Sequence, residues 1–183
     1  MSSPKTAPQG NYSAIGGMAL AIAVTLIHPE VRDYTWIVAG LAAGAVVGIG
    51  VALRIQMTDM PQLVAVLHSF VGLAAVLVAF GTYLIHSHHQ ELNSVLMVEL
   101  AVGSFIGAIT FTGSLIAYGK LQALLSSNPL VFRGQHLLNA LLAVIMLVSA
   151  YYFVANNNIM ALIVSTGIAL ALGFLLVLPI GGA

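Results

Sequence analysis

Apolar residues fall into six long runs along the chain, separated by short polar segments. A helix needs about 20 mostly apolar residues to cross the roughly 30 Å hydrocarbon layer of a membrane. The predicted fold class is therefore all-α, a polytopic bundle of about six transmembrane helices within 12–183, after an N-terminal tail at 1–11. The spans are predicted at about 12–27, 34–53, 61–86, 92–119, 136–155 and 159–178.

Composition agrees with a lipid environment. The chain has 183 residues, of which 60% are hydrophobic and 5% charged, whereas soluble domains have about 25% charged residues. An ordinary soluble enzyme is therefore excluded. Lysine plus arginine and aspartate plus glutamate number five each, so the chain lacks the basic stripe that binds nucleic acid. With no cysteine, disulfides and thiolate metal sites are excluded as well.

The separators between the runs predict turns and an orientation. Pro29, Pro61 and Pro129 bar helix continuation or mark first turns, and Asn156–Asn158 predicts a tight turn. Alternate loops place four basic residues on one side and only Arg32 on the other. Positive charge stays in the cytoplasm, so both ends of this chain are predicted to be cytoplasmic. The four are Lys5, Arg54, Lys120 and Arg133.

Glycine spacing predicts close helix packing. One set repeats every four residues in the second helix and another in the fourth, so each lies on one helix face. Isolated glycines such as Gly167 need no such explanation. The two sets are Gly40, Gly44 and Gly48, and Gly103 and Gly107.

Two candidate ionisable residues lie deep within predicted spans, where a charged side chain costs about 2.5–3.5 kcal/mol on insertion scales. His68 is surrounded by apolar residues, and its ordinary pKa of about 6.5 suits proton transfer near neutral pH. Glu99 lies about two turns into the fourth helix, and the helical rise puts it roughly 20 Å from His68 in depth. Glu99 could also be solvated near the headgroups, and His68 could simply donate an interhelical hydrogen bond.

Other polar residues are predicted at the depth of His68. They could surround one wet cavity in the bundle and carry a proton pathway: Ser69, Thr110, Ser114 and Asn139. Asn139 could equally join helices, and Thr112 is expected to bond back to its own backbone. His86, His88 and His89 cluster at the outer end of the third helix, but no metal site is predicted there.

Two stretches resemble a known family. The sequences LHSFVGL at 67–73 and FIGAITFTGS at 105–114, with Gly119-Lys120, are similar to the membrane domain of the β subunit of proton-translocating NAD(P)⁺ transhydrogenase. The closing 180–183 also resembles the family, which usually has glutamate where Asp59 stands. The chain is expected to be a fragment, since the family has one helix before it, three after it and then an NADP(H)-binding domain.

The resemblance implies a function. In the family, hydride passes from NADH to NADP⁺ between soluble domains, coupled to inward proton movement through this bundle. The family's pathway histidine maps onto His68, and Glu99 and Ser114 map onto family positions whose roles are less defined. The implied partners are α-subunit membrane helices, the two nucleotide-binding soluble domains, a second complex in a dimer and the lipid of the inner membrane.

Protonation of His68 is then predicted to bias which side the cavity opens to, and the NADP(H) domain docked on the cytoplasmic loops would sense that state. The loop residues expected to contact that domain are Arg54, Asp59, Lys120 and Arg133. No Gly-rich dinucleotide fingerprint is present, so this chain is predicted to bind no nucleotide and to carry no hydride-transfer site. Two alternatives stay open: a small multipass transporter or channel using the same histidine and glutamate, and a structural membrane subunit.

Overall fold

The computed structural model describes residues 6–29, 31, 33–89 and 92–181, without the side chains of His88 and His89. Its six long helices are each apolar enough to cross a membrane, which confirms the all-α, six-helix prediction. They are α1 Ala7–Ile27, α2 Thr35–Ala52, α3 Met60–His89, α4 Ser94–Leu121, α5 Gln135–Asn156 and α6 Ile159–Val177. The predicted loop positions Lys5 and Arg32 lie outside the described residues.

Helix α1 begins at Ala7, five residues before the predicted start at 12. Pro8 occupies the first turn, where its missing N–H is no loss. The helix therefore extends through the polar residues Gln9 and Asn11, which were predicted to be a tail. Helix α3 likewise continues beyond 86 to His89, since a helix does not have to end where the apolar run ends.

Local capping explains where several elements start and stop. The side chain of Asn93 accepts from Leu96 N at 2.8 Å at the start of α4. The predicted tight turn at Asn156–Asn158 is confirmed, with Asn157 in the left-handed region at φ 50° and Asn158 accepting from Met160 N. Gly134 begins α5 at φ 88°, a conformation that suits glycine.

The chain forms two compact units, Met1–Ile55 and Gln56–Ala183. In the first, neither α1 nor α2 has a buried residue among those described, and Tyr34 Oη donates to Leu26 O between them. Thr35 N donates to the Asp33 carboxylate at 2.8 Å. These hydrogen bonds from Thr35 lower the pKa of Asp33, so their contribution to stability is lost only as pH falls through that lowered pKa.

In the second unit, α3 packs on α4, α4 on α6, and α6 on α5. All four helices contribute to one buried cluster at the end that contains the α5–α6 turn. Tyr83 of α3 packs there against Phe153 of α5 with the rings tilted by 56° and their centroids 5.5 Å apart, and it donates to Asn157 O. A second cluster, nearer the middle, comprises residues of α4, α5 and α6: Ala108, Met146, Ala169 and Leu172.

The glycine prediction is only partly correct. Gly40, Gly44, Gly48 and Gly103 have no described atom within 4 Å of an added Cβ, so no contact follows from their spacing. Gly107 does lie at a helix contact, because a Cβ there would be 2.7 Å from Gly72 O. The repeat therefore identified a shared face correctly, but it did not identify which face has a neighbour.

Candidate functional site

The contact between α3 and α4 shows which candidate residues on these two helices lie at the same height along the bundle. A Cβ at Gly72 would lie 2.6 Å from Gly107 O and 2.7 Å from Phe111 N, so the two backbones nearly touch. The helices run antiparallel across this contact. Ser114 is therefore level with about His68, and Glu99 is level with about Thr82.

His68 lies in the third turn of α3, on its exposed side. Its neighbour Ser69 is 2% exposed and faces into the bundle, whereas Leu67, Phe70 and Val71 are exposed apolar residues. The imidazole makes no hydrogen bond with any described residue. His68 is thus a polar group on an apolar helix surface, which in hydrocarbon would be costly unless water or another helix met it.

Two hydroxyl residues that were predicted for the pathway lie on α4 at about the same height along the bundle as His68. Thr110 is half-buried and its Cβ would be 3.1 Å from a Cβ at Gly72. Ser114 is also half-buried and lies one turn further along. The structure therefore brings Thr110 and Ser114 to the α3–α4 contact near His68.

Glu99 is exposed and lies in the second turn of α4. The α3–α4 register separates it from His68 by fourteen residues of helix, which is about 21 Å. This agrees with the predicted separation, and it excludes direct proton transfer between the two groups, since hydrogen bonds span about 3 Å.

Asn139 lies on a helix that is not a main neighbour of α3. It lies on α5, which packs mainly on α6, while His68 lies on α3, which packs mainly on α4. The five polar residues therefore lie on three helices, and a single cavity that they share stays a prediction. Asn139 Oδ1 is nevertheless buried without a hydrogen-bond partner among described atoms.

The buried polar contacts between α4 and α6 were not predicted. Ser104 Oγ and Thr166 Oγ1 are 2.5 Å apart, and Thr166 donates its proton to Leu162 O, so Ser104 is the donor between the helices. Thr112 bonds back to Ala108 O at 3.1 Å, as predicted, and also reaches Leu170 O at 2.8 Å. A signal was present in the four-residue spacing of Ser104, Ala108 and Thr112, which puts small residues on one face.

A double-mutant cycle tests the Ser104–Thr166 bond. Ser104→Ala and Thr166→Val should couple by about 0.5–1.5 kcal/mol, the range for hydrogen bonds between membrane helices. The free energy of unfolding in detergent would be measured for both single variants and the double variant. Strictly additive effects would show that the bond contributes nothing to the α4–α6 contact.

The predicted loop contacts differ in exposure. Arg54 and Arg133 are exposed, and Asp59 is half-buried in a 3₁₀ turn, Met57–Asp59, that leads into α3. Lys120 was predicted to face a docked domain from a loop, but it lies in the last turn of α4 and is only 5% exposed. Its ammonium donates to Val177 O, Leu178 O and Ile180 O, so its side chain is directed into the bundle.

The histidine cluster at the end of α3 is described only in part. His86 Nδ1 donates to Thr82 O at 3.0 Å within the helix. The side chains of His88 and His89 lie outside the described part of the chain. Among described residues no group of three or more His, Asp or Glu side chains comes together as a metal site would need.

Six apolar helices, with a histidine on an apolar surface and hydroxyls in the helix contacts, define a multi-pass membrane protein with polar groups along its apolar helices. The chain belongs to the family of NAD(P) transhydrogenase beta subunits, whose family model matches residues 1–183. This finding confirms the family to which the two motif stretches pointed.

Two curated relatives carry the name NAD(P) transhydrogenase subunit beta. One is from Rhodospirillum rubrum and the other from its strain ATCC 11170, and each is 44% identical to this chain over 188 residues. The alignment covers 100% of this chain and 40% of each relative. The chain thus spans well under half the length of the curated relatives it matches.

Proposed function

We propose that this chain is the proton-conducting membrane part of an NAD(P) transhydrogenase. In the complete protein it couples inward proton translocation to hydride transfer from NADH to NADP⁺, which separate soluble domains carry out. The observation that carries the proposal is the match to the beta-subunit family along the whole chain. The position of His68 gives that match a chemical basis, because an imidazole can take up and release a proton near neutral pH.

His68 is the group proposed to hold the proton. Its side chain lies on an uncovered apolar face of α3, and a charged imidazolium there requires water or a polar partner. Other membrane helices of the complex, including those of the α subunit, would cover this face and enclose that water. Ser69, Thr110 and Ser114 supply hydroxyls near the same level, and Glu99 and Asn139 stay candidates for more distant parts of the pathway.

Coupling requires two sites linked by a reciprocal free energy. Protonation of His68 is proposed to shift which side of the membrane the pathway opens to, and the NADP(H) domain senses that shift through the cytoplasmic loops. Arg54, Asp59 and Arg133 are the proposed loop contacts. NAD(H) and NADP(H) bind the soluble domains, so this chain carries no hydride-transfer site of its own.

The chain spans the inner membrane with both its ends on the cytoplasmic side, as the distribution of lysine and arginine favours. The complete complex is proposed to be a dimer.

Proton movement that depends on nucleotides tests the function. Sealed vesicles containing the complete protein should change their internal pH when both a hydride donor and an acceptor nucleotide are supplied, and not with either alone. A pH-sensitive dye in the lumen would record the change. Proton or solute flux without nucleotides would instead favour the transporter alternative, and hydride transfer without any pH change would contradict the proposed coupling.

A further inference from the structure

Lys120 has an unusual position for the side chain of a lysine. It lies in the last turn of α4 and is 5% exposed. All three of its hydrogen bonds go to main-chain carbonyls, at 3.2 Å to Val177 O, 2.6 Å to Leu178 O and 2.5 Å to Ile180 O. An ammonium has three protons to donate, so this one is saturated and has none left for an anion or a docked domain.

The partners of Lys120 explain why the charge is tolerated there. The last carbonyls of a helix lack intrahelical donors and carry the negative end of the helix dipole. Val177 ends α6, and Leu178 and Ile180 lie within the next three residues. The ammonium therefore caps the C-terminal end of α6 from the neighbouring helix α4.

The connection between α4 and α5 forms a hydrogen bond to the same end of α6. Leu130 N donates to Leu178 O, which thus accepts from both Lys120 and this connection. A cavity of about 420 Å³ lies beside this point, between the connection and α6, lined by residues that include Leu125, Pro129 and Phe174. Lys120 and Leu130 therefore converge on one carbonyl at the end of α6.

We propose that Lys120 is a positioning residue that transmits movement of the α6 C-terminal end to the α4–α5 connection. This inference rests on the proposed function, and it gives Lys120 a role inside the bundle in place of a loop contact. Arg133, a proposed contact of the soluble domain, lies in this connection. A displacement of α6 in the membrane would then move Arg133 through the three carbonyls, the ammonium and α4.

The test uses the complete protein in vesicles and three variants. Lys120→Met keeps the length of the side chain and removes the donors. Lys120→Arg keeps the charge, but its planar guanidinium cannot reproduce three converging bonds. Gln122→Met is the matched control, because it removes the nearby hydrogen bond from Gln122 to Gln62 on α3 and leaves α6 untouched.

The first readout reports whether the C-terminal end of α6 stays in contact with the α4–α5 connection. A Cβ at Gly181 would lie 3.7 Å from Ser127 O without a clash, and the chain has no cysteine of its own. The pair Ser127→Cys and Gly181→Cys therefore places a thiol on each of these neighbouring segments, and formation of a disulfide between them under mild oxidation reports that the segments stay together. Lys120→Met should slow its formation at least fivefold, and Gln122→Met should leave it within twofold. An unchanged rate in Lys120→Met would overturn the claim that Lys120 holds the end of α6 to the connection.

The second readout is the stimulation of hydride transfer by an imposed proton gradient, expressed as the ratio of rates with and without it. We expect this ratio to fall at least fivefold in Lys120→Met and twofold in Lys120→Arg. A merely structural role would lower both rates equally and leave the ratio unchanged, which would overturn the proposal. Should Lys120→Met not assemble, the ratio in Lys120→Arg decides. No stimulation in the wild type would contradict the proposed function itself, while the cross-linking rate still tests the attachment.

Discussion

Replacing His68 with alanine in the complete protein is expected to lower proton-coupled hydride transfer by about 100-fold, the lower end of what a positioned proton-transfer group contributes. Alanine cannot hold a proton, so the step that links protonation to opening of the pathway is lost. The packing among the described helices should be unaffected, because the side chain lies outside their contacts and has no hydrogen-bond partner among the described residues.

The matched control for His68 is Val71→Ala. Val71 is 64% exposed on the same helix, one turn from His68, and has no titratable group. Steady-state rates of both variants would be measured in vesicles at equal protein content. A His68→Ala rate close to that of Val71→Ala would make His68 a packing residue and would move the pathway to Glu99 or to other parts of the complex.

Gly173→Ala is expected to destabilise the bundle by about 1–3 kcal/mol, the usual cost of overpacking. A Cβ at this position would overlap Thr112 Oγ1 and would lie 2.5 Å from Ile109 O, so α4 and α6 would have to move apart. That movement would also break the hydrogen bond from Thr112 to Leu170 O. A leucine at Gly173 should prevent the two helices from packing at all.

Gly167→Ala provides the control for this prediction. Gly167 lies on the same helix, and a Cβ there would meet no described atom within 4 Å. The change should be neutral or stabilising by up to about 1 kcal/mol, because alanine favours the helix. Thermal unfolding in detergent would be compared for the two variants, and equal midpoints would contradict the α4–α6 contact described here.

Hydropathy predicted the six helices because a membrane fixes the length of its spans. The same pattern could not locate the start of α1, since Pro8 and the polar residues after it fit a first turn as well as they fit a tail. The helical rise also predicted the difference in depth between His68 and Glu99. That difference depends on distances along the helices and not on which helices are neighbours.

Helix neighbours were harder to predict. The repeat Gly40, Gly44 and Gly48 has no described contact, whereas Gly72 and Gly173, which belong to no predicted repeat, have close helix contacts. Spacing shows that residues share a face, but the tertiary arrangement decides what lies against that face. Asn139 was placed near His68 for the same reason, from depth alone.

Lys120 illustrates a different limit. A lysine near the end of an apolar run is usually at the surface, because its charge is costly to bury. Here three carbonyls at the C-terminal end of α6 solvate the ammonium instead. That arrangement depends on the parallel packing of α4 and α6, which the sequence pattern of either helix alone does not reveal.

The central claim is that protons cross the membrane through His68 in step with hydride transfer. The most direct measurement is the number of protons moved per hydride transferred, recorded simultaneously by lumenal pH and nucleotide absorbance, in wild-type and His68→Asn vesicles. The account predicts a fixed ratio in the wild type and no proton movement with the residual hydride transfer of His68→Asn. Residual turnover that still moves protons at the wild-type ratio would contradict it.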